Sequence, residues 1–458
     1  MGRIELFDRS RGAEGGGRGR SPGREKPRGR NDAAEHLAGR LGGERIGDGR
    51  ASVLKVTRLL PKEYSHGAVD LGALERLDSD LLRVLFPRAE AFLLSGGGLG
   101  DLVFFDIETT GLSGGAGTLV FLAGTVRAGS EGVRVTQYFL ESLSAERLFL
   151  ALLTEELGRG NALVSFNGRS FDYNIIKNRL IMNGFRLPER DPHHFDLLYP
   201  ARRIWKGRLP DFTLQTLERR VCGVERAKDI PGSLIPEVYF RYLSERGGGE
   251  ELAGDLDLVF AHNRTDILSL PALLVRQLGV VGRHLGHAAQ VGDSAPGAGA
   301  RVREPLTRPV MEGSVVSAET PVNPGSLSDM FVRSNFSMEA KRLLREHSGD
   351  REALWKLGML CKRERLFHEA SEAFRVLLER GSLGEYVSAC AELAKLFEHG
   401  LRDFAEAKRY AELALRRIDR ARFFAPHHEE LIRVRDLQRG MDELGKRLLR
   451  LNRKLGLR

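Results

Sequence analysis

Asp106, Glu108, Asp172, His262 and Asp266 are the residues of this chain whose types and spacing can do chemistry. Asp106 and Glu108 lie two apart in LVFFDIETTGL, so on a strand both point to one face while Ile107 points to the other. Carboxylates that close repel each other unless a cation lies between them, and hard divalent ions such as Mg²⁺ favour oxygen ligands. His262 and Asp266 lie four apart in HNRTD and share one face of a helix. An acid beside the apolar stripe of Ile267, Leu270 and Leu274 needs a partner. Four carboxylates drawn from three segments are the ligand supply of a two-ion phosphodiesterase site, whose ions sit roughly 4 Å apart. His262, one turn before Asp266, is placed to take a proton from the attacking water. Plainer readings exist for each: a solvated strand end for the D-x-E, an acid favoured by the helix dipole for Asp172, a satisfied helix histidine for His262.

The elements that must position these groups are legible around them. Leu102–Glu108 is a strand by its β-forming run, entered from the turn SGGGLG. Leu119–Arg127 and Val133–Leu140 alternate as antiparallel strands with AGSEG as their hairpin loop. Ala145–Leu157 is a helix with Ser144 as its candidate cap. Ala162–Phe166 is a short buried strand, and a helix follows from about Ser170 to Asn183, which puts Asp172 in its first turn. Further elements are a helix over 71–86, a strand over 195–199, a helix over 212–221 and a last helix over 262–274, broken or started near Pro271. The order β-β-β-α-β-α is that of a ribonuclease-H-like mixed sheet flanked by helices. The turn TTGLSGGAG lacks the GK[ST] of a phosphate-binding P-loop. Thr109, Thr110 and Gly111 can instead hold a terminal nucleotide, with Leu112 wedged against its base and Asn167 and Asn263 orienting substrate or water.

FDIETTGL, LVSFNGRSFD and HNRTD together resemble the three exonuclease motifs of the DnaQ-like, or DEDD, superfamily of 3′–5′ exonucleases. The closer likeness is to its YprB-like branch, through FDLLYPARRIWKGRLPDFTLQTLERRV and AKDIPGSLIPEVYFRYL, and it covers roughly residues 100–280. The resemblance implies that Asp106, Glu108, Asp172 and Asp266 bind two ions, Mg²⁺ or Mn²⁺. One departure stands out: histidine-type members usually place His five residues before the last Asp, and His262 is four before Asp266. Other clusters are weaker. His193, His194 and Asp196 form an H-H-x-D run that can suggest a transition metal or a supporting strand. Arg202, Arg203, Lys206 and Arg208 around Trp205 can track a nucleic-acid backbone and stack a base, or form a solvated rim with Trp205 in the core.

At 458 residues the chain has room for two or more domains. Its net charge of +9 favours polyanionic partners, though much of the excess lies near the N-terminus. Three cysteines without paired spacing argue against a disulfide framework or structural zinc and suit a reducing cytoplasm. No apolar leader opens the sequence and no run approaches a membrane span, so no membrane role is expected. Residues 1–50, rich in Gly and Arg, read as a disordered tail, 51–281 as the ribonuclease-H-like domain and 282–326 as a flexible linker. Residues 327–458 read as an all-α tetratricopeptide-like domain. Its marks are Leu357-Gly358, Ala370 and Phe374 in one pair of helices and Leu393-Ala394, Ala407 and Ala414 in a looser copy. At least one further helical pair is expected beside them, and the functional expectation is a groove for a protein or peptide partner.

The function these readings favour is a metal-dependent 3′–5′ exonuclease on single-stranded or frayed DNA or RNA. Two alternatives stay open: a non-catalytic nucleic-acid-binding scaffold that uses its repeats for assembly, and a structure-selective endonuclease with the same metal chemistry.

Overall fold

The structure is a computed structural model that describes residues 28–48, 51–111, 117–245, 249–286, 320–424 and 438–457. The chain divides into two compact units, 1–322 and 323–458. Leu112 and most of the expected linker lie outside the described residues.

The first unit is built on a mixed sheet. Its strands are β1 (Glu44–Asp48), β2 (Ala51–Leu60), β5 (Leu102–Thr109), β6 (Val120–Gly129), β7 (Gly132–Leu140), β8 (Ala162–Ser165) and β9 (His193–Asp196). A separate two-stranded ribbon, β3 (Ser65–His66) and β4 (Val69–Asp70), precedes β5. The order across the large sheet is β1-β2-β7-β6-β5-β8-β9, with β8 parallel to β5 and β9 parallel to β8. The hairpin β6–β7, its antiparallel pairing to β5 and the parallel return at β8 are as the alternation and the element order predict.

Helices cover both faces. In β7, Tyr138 reaches Glu156 on α4 (Glu146–Leu157), whereas its neighbour Gln137 donates to the Phe260 carbonyl of the long helix Glu250–Leu285 on the opposite face. Asp106 pairs with Gly124 and Gly124 with Gln137, so this row of three faces the long helix. A Cβ on Gly124 would lie 2.3 Å from Asn263 Oδ1 and 2.8 Å from Ile267 Cδ1. Only glycine lets the helix come that near the strand beside Asp106.

Several expectations are corrected. Residues 28–48 are not a tail: α1 (Arg28–Leu41) sets Leu37, Ala38 and Leu41 into the core, and β1–β2 extend the sheet beyond β7. The Gly/Arg content hid that helical spacing. In place of one helix over 71–86 there are short turns, Leu71–Glu75 and Ser79–Leu81, then α2 (Leu82–Leu85) and α3 (Ala89–Leu94). Asp70 and Asp78 each accept a backbone N–H two residues on, which starts a new turn and interrupts the run. The strand expected at 195–199 is β9, because Asp196 accepts the Leu198 N–H and α6 (Leu198–Ile204) begins there.

After α5 (Asp172–Met182), α7 (Leu214–Leu217) runs into a π-helical turn, Glu218–Cys222, and α8 (Ile235–Ser244) leads to α9, the long helix. α9 begins twelve residues before His262 because Leu252, Leu256, Val259 and Phe260 continue its buried face, and Pro271 lies inside it. Proline removes one helical hydrogen bond there without ending the helix. At 36 residues α9 is also long and apolar enough to cross a membrane, against the expectation that no run is. Most of it is buried within this unit.

The second unit is helical: α10 (Pro324–Arg333), α11 (Ser337–Glu346), α12 (Arg351–Arg363), α13 (Phe367–Arg380), α14 (Leu383–His399), α15 (Phe404–Phe424) and α16 (Gln438–Lys454). Three helical hairpins turn on the same device, one residue at positive φ: Asn335, Arg365 and Arg402. Gly358 packs against the Phe374 ring, where a Cβ would lie 2.6 Å from it, and Ala370, Leu393, Ala394, Ala407 and Ala414 are fully buried. Glu398, enclosed on α14, is held by Arg447, Arg450 and Lys454 of α16.

Candidate metal centre

Asp106 and Glu108 lie on the α9 face at the carboxyl end of β5, the end where open α/β sheets place their sites. α9 brings His262 and Asp266 to them. Glu108, His262 and Asp266 offer ligand atoms that all lie within 4.8 Å of one another. Asp106 stands beside this triad, reached by the Asn263 side-chain amide at 3.4 Å.

Asp172 arrives from the other side. β8 ends in a turn in which Asn167 takes φ of 60°, and Asp196 accepts the backbone N–H groups of Asn167 and Arg169 at 2.8 and 3.4 Å. This carboxylate therefore braces the loop that launches α5, and it is the supporting strand acid that the H-H-x-D run contained. Asp172 Oδ2 packs over Gly168, where a Cβ would lie 2.5 Å away.

The carboxylates sense one another strongly. Burial, then the charges of Asp172, Asp266 and Glu108, hold the Asp106 pKa well above the carboxylate range. Burial and Asp266 push Glu108 to about 7, and burial and Asp196 push Asp172 to about 7. Asp266 is raised by burial, opposed by Arg226 and His262. Burial alone would lower His262, but its hydrogen bond to Asp229 and the charges of Asp266, Glu108 and Asp229 raise it. In the protein without ions these surroundings favour the charged ring more than water does.

Other expected contacts are redistributed. The Thr109 hydroxyl donates to the Gly111 carbonyl and the Thr110 hydroxyl accepts the Leu119 N–H, so both shape the turn. Asn263 is fully buried, its Oδ1 accepting from Gln137, and it orients Asp106 instead of meeting a substrate. Trp205 is 1% exposed and cannot stack a base, because α6 turns it into the core. His194 Nε2 lies 2.8 Å from the Ser165 hydroxyl inside the fold.

Sequence reasoning missed Arg226, Asp229 and Glu218. The Arg226 guanidinium pairs bidentately with Glu218 at 2.7 and 2.8 Å, with Asp229 at 2.9 Å, and with Asp266. Glu218 also accepts from Ser269 at 2.6 Å, and Ser269 meets His66. Asp229 Oδ1 lies 2.6 Å from His262 Nδ1. The signal was present, since Glu218 and Asp229 fall in the two stretches taken as lineage markers and Arg226 directly precedes the second, but their partners are remote in sequence.

Residues 103–277 match a family model described as RNase_H superfamily. The fold is ribonuclease-H-like. The chain is also 29% identical over 362 residues, 78% of each chain, to the "Uncharacterized protein YprB" of Bacillus subtilis (strain 168). Ribonuclease-H-like domains generally belong to hydrolytic nucleases, which commonly use divalent metals and act on nucleic acid. The donor set fits such a group: oxygen-rich, partly enclosed and electrostatically underfilled.

Proposed function

We propose that this chain is a metal-dependent 3′–5′ exonuclease on single-stranded or frayed DNA or RNA. The observation that carries the reading is the convergence of Asp106, Glu108, Asp172 and Asp266, each with its pKa raised by burial, and Asp106 and Glu108 raised also by the charges of the others. A protein that only binds nucleic acid gains nothing from such mutually repelling groups. Asp106, Glu108, Asp172 and Asp266 would hold two ions, Mg²⁺ or Mn²⁺, which would supply an activated water and stabilise the leaving oxygen of an in-line displacement.

Asp106, which feels the charges of Asp172, Asp266 and Glu108, would be a ligand beside all three. His262 would receive the water's proton at Nε2. The TTG turn would seat the strand terminus. The repeated hairpins of the second unit support a tetratricopeptide-like reading, with a peptide or protein partner that brings the nuclease to its work. The three cysteines are free and buried, which suits the cytoplasm.

The test is a time course on 3′- and 5′-labelled single strands of DNA and RNA with Mg²⁺ or Mn²⁺, run beside Asp106→Ala. A one-nucleotide ladder from the 3′ end that the variant loses is the expected result, and the ladder also reports the sugar preference. Internal cuts lost in the variant would turn the reading to an endonuclease. Salt-sensitive binding without cleavage, unchanged by the variant, would turn it to a scaffold.

A further inference from the structure

Between α7 and α8 the chain places two charged side chains against the site without offering either as a ligand to its centre. Arg226 is 11% exposed and spans Glu218, Asp229 and Asp266. Asp229 is 22% exposed and takes one ring nitrogen of His262. Their geometry sorts the atoms of α9. Arg226 engages Oδ1 of Asp266, whereas Oδ2 of Asp266 lies 3.5 Å from His262 Nε2.

At His262 Nδ1 two neighbours make opposite demands. Asp229 Oδ1, an acceptor only, lies at 2.6 Å, and Arg226 Nη1, a donor only, lies at 3.3 Å. The shorter contact, to a carboxylate, governs, so Nδ1 keeps the proton. In the neutral ring Nε2 then offers a lone pair toward the Asp266 carboxylate 3.5 Å away, an arrangement that is repulsive unless a cation or a water's proton stands between them.

We propose that Arg226 and Asp229 are a positioning pair: Asp229 fixes the ring and tautomer of His262 with Nε2 turned inward, and Arg226 holds Oδ1 of Asp266 so that Oδ2 alone faces the centre. The inference deepens the nuclease reading and rests on it for its catalytic meaning, but the placement of protons and oxygens stands or falls without cleavage. It also gives a task to the AKDIPG stretch, which the motifs of the site itself leave unexplained. The arrangement parallels a metal-ligand or catalytic histidine whose other nitrogen is set by a carboxylate.

The experiment is ¹⁵N–¹H spectroscopy of the His262 ring in the full chain, with and without Mg²⁺, at alkaline pH where the ring is neutral. Wild type and Asp229→Asn are compared. The wild-type ring is expected as the Nδ1–H tautomer. The asparagine amide can donate to Nδ1, so Asp229→Asn is expected to shift the ring toward Nε2–H. On a cleavable strand the same variant is expected to lose about 10²–10⁴-fold in kcat with KM little changed, the range for a misdirected base. A wild-type Nε2–H ring, or a tautomer unmoved by Asp229→Asn, overturns the proposal whatever the cleavage result. A tautomer shift in a protein that cleaves nothing upholds the positioning pair and defeats the nuclease reading instead.

Discussion

Glu108 and Glu398 are both carboxylates enclosed by their surroundings, and they have been treated in opposite ways. Glu398, on α14, receives Arg450 at 2.8 and 3.0 Å, Lys454 at 3.0 Å and Arg447, all from α16. The Arg450 hydrogen bond leads a set of cations that brings its pKa down to about 2. Glu108, on β5, faces Asp266 and Asp172, and burial with their charge brings its pKa up to about 7. One carboxylate has its counter-ions supplied by the chain. The other is left wanting charge: His262 and a hydrogen bond from Asn263 oppose the shift at Glu108 but do not offset burial and the two aspartates. A structural acid completes itself, whereas an acid kept for an ion stays incomplete until the ion arrives.

The strongest way to break this comparison is to neutralise each acid in turn. With metal present, Glu108→Gln is expected to cut nucleolytic activity by roughly 10³-fold or more, since the ions supply several kcal/mol of charge stabilisation and each tenfold corresponds to about 1.4 kcal/mol. Without metal at pH 8, the same change is expected to raise the melting temperature, because it removes a repelling charge. Glu398→Gln is expected to do the reverse. It should leave cleavage of short strands intact and cost about 1–3 kcal/mol in urea unfolding of the second unit, a range lowered by the exposure of Arg450 and Lys454. Stabilisation at both positions, or loss at both, would abolish the distinction.

A titration sharpens it further. Glu108 and Asp172 have folded pKa values near 7, above their ordinary values of 4.5 and 3.8, so the native state binds more protons between those limits. The metal-free first unit should therefore lose stability as pH rises from about 4 to about 7. Saturating Mg²⁺ should flatten or invert that slope. For Glu398, lowered to about 2 from 4.5, the sign is opposite: its contribution is complete above about pH 4.5 and fades as pH falls toward 2. Thermal melts from pH 2 to 8 with chelator or Mg²⁺ check both slopes. The smallest effect expected is for Arg450→Ala, on the order of 1 kcal/mol or less, because half its side chain is exposed and Arg447 and Lys454 remain.

The parts legible in the sequence were those in which local pattern and placement coincide. The alternation in LVFFDIE gave one face to Asp106 and Glu108, the turn after β8 gave Asp172 its place at the head of α5, and the spacing of four gave His262 and Asp266 one face of α9. Residues with no local signature stayed hidden. Arg226 meets Asp266 across 40 positions, and Gln137 meets Asn263 across 126. Asn263 itself was misread because nothing in HNRTD tells which side of a helix lies against a strand. The early strands β1 and β2 were missed because glycines and arginines around them outweighed a short amphipathic pattern in the composition.

The glycine at position 124 has a consequence for which ions the proposed site would accept. Glu108 rides on the sheet and Asp266 on α9, and the gap between these two layers is set where Asn263 and Ile267 rest on the bare backbone of Gly124. An ion ligated from both layers is thus gauged by a close-packed contact, as in the jaws of a fixed calliper, and not by a loop that can yield. Mg²⁺ takes oxygens at about 2.0–2.1 Å and Ca²⁺ at about 2.3–2.6 Å. To seat the larger ion the sheet and α9 would have to part against a core that resists dilation. Ca²⁺ is therefore expected to bind this protein more weakly than Mg²⁺ in calorimetric titration. Gly124→Ala, which wedges the layers apart, is expected to narrow that preference.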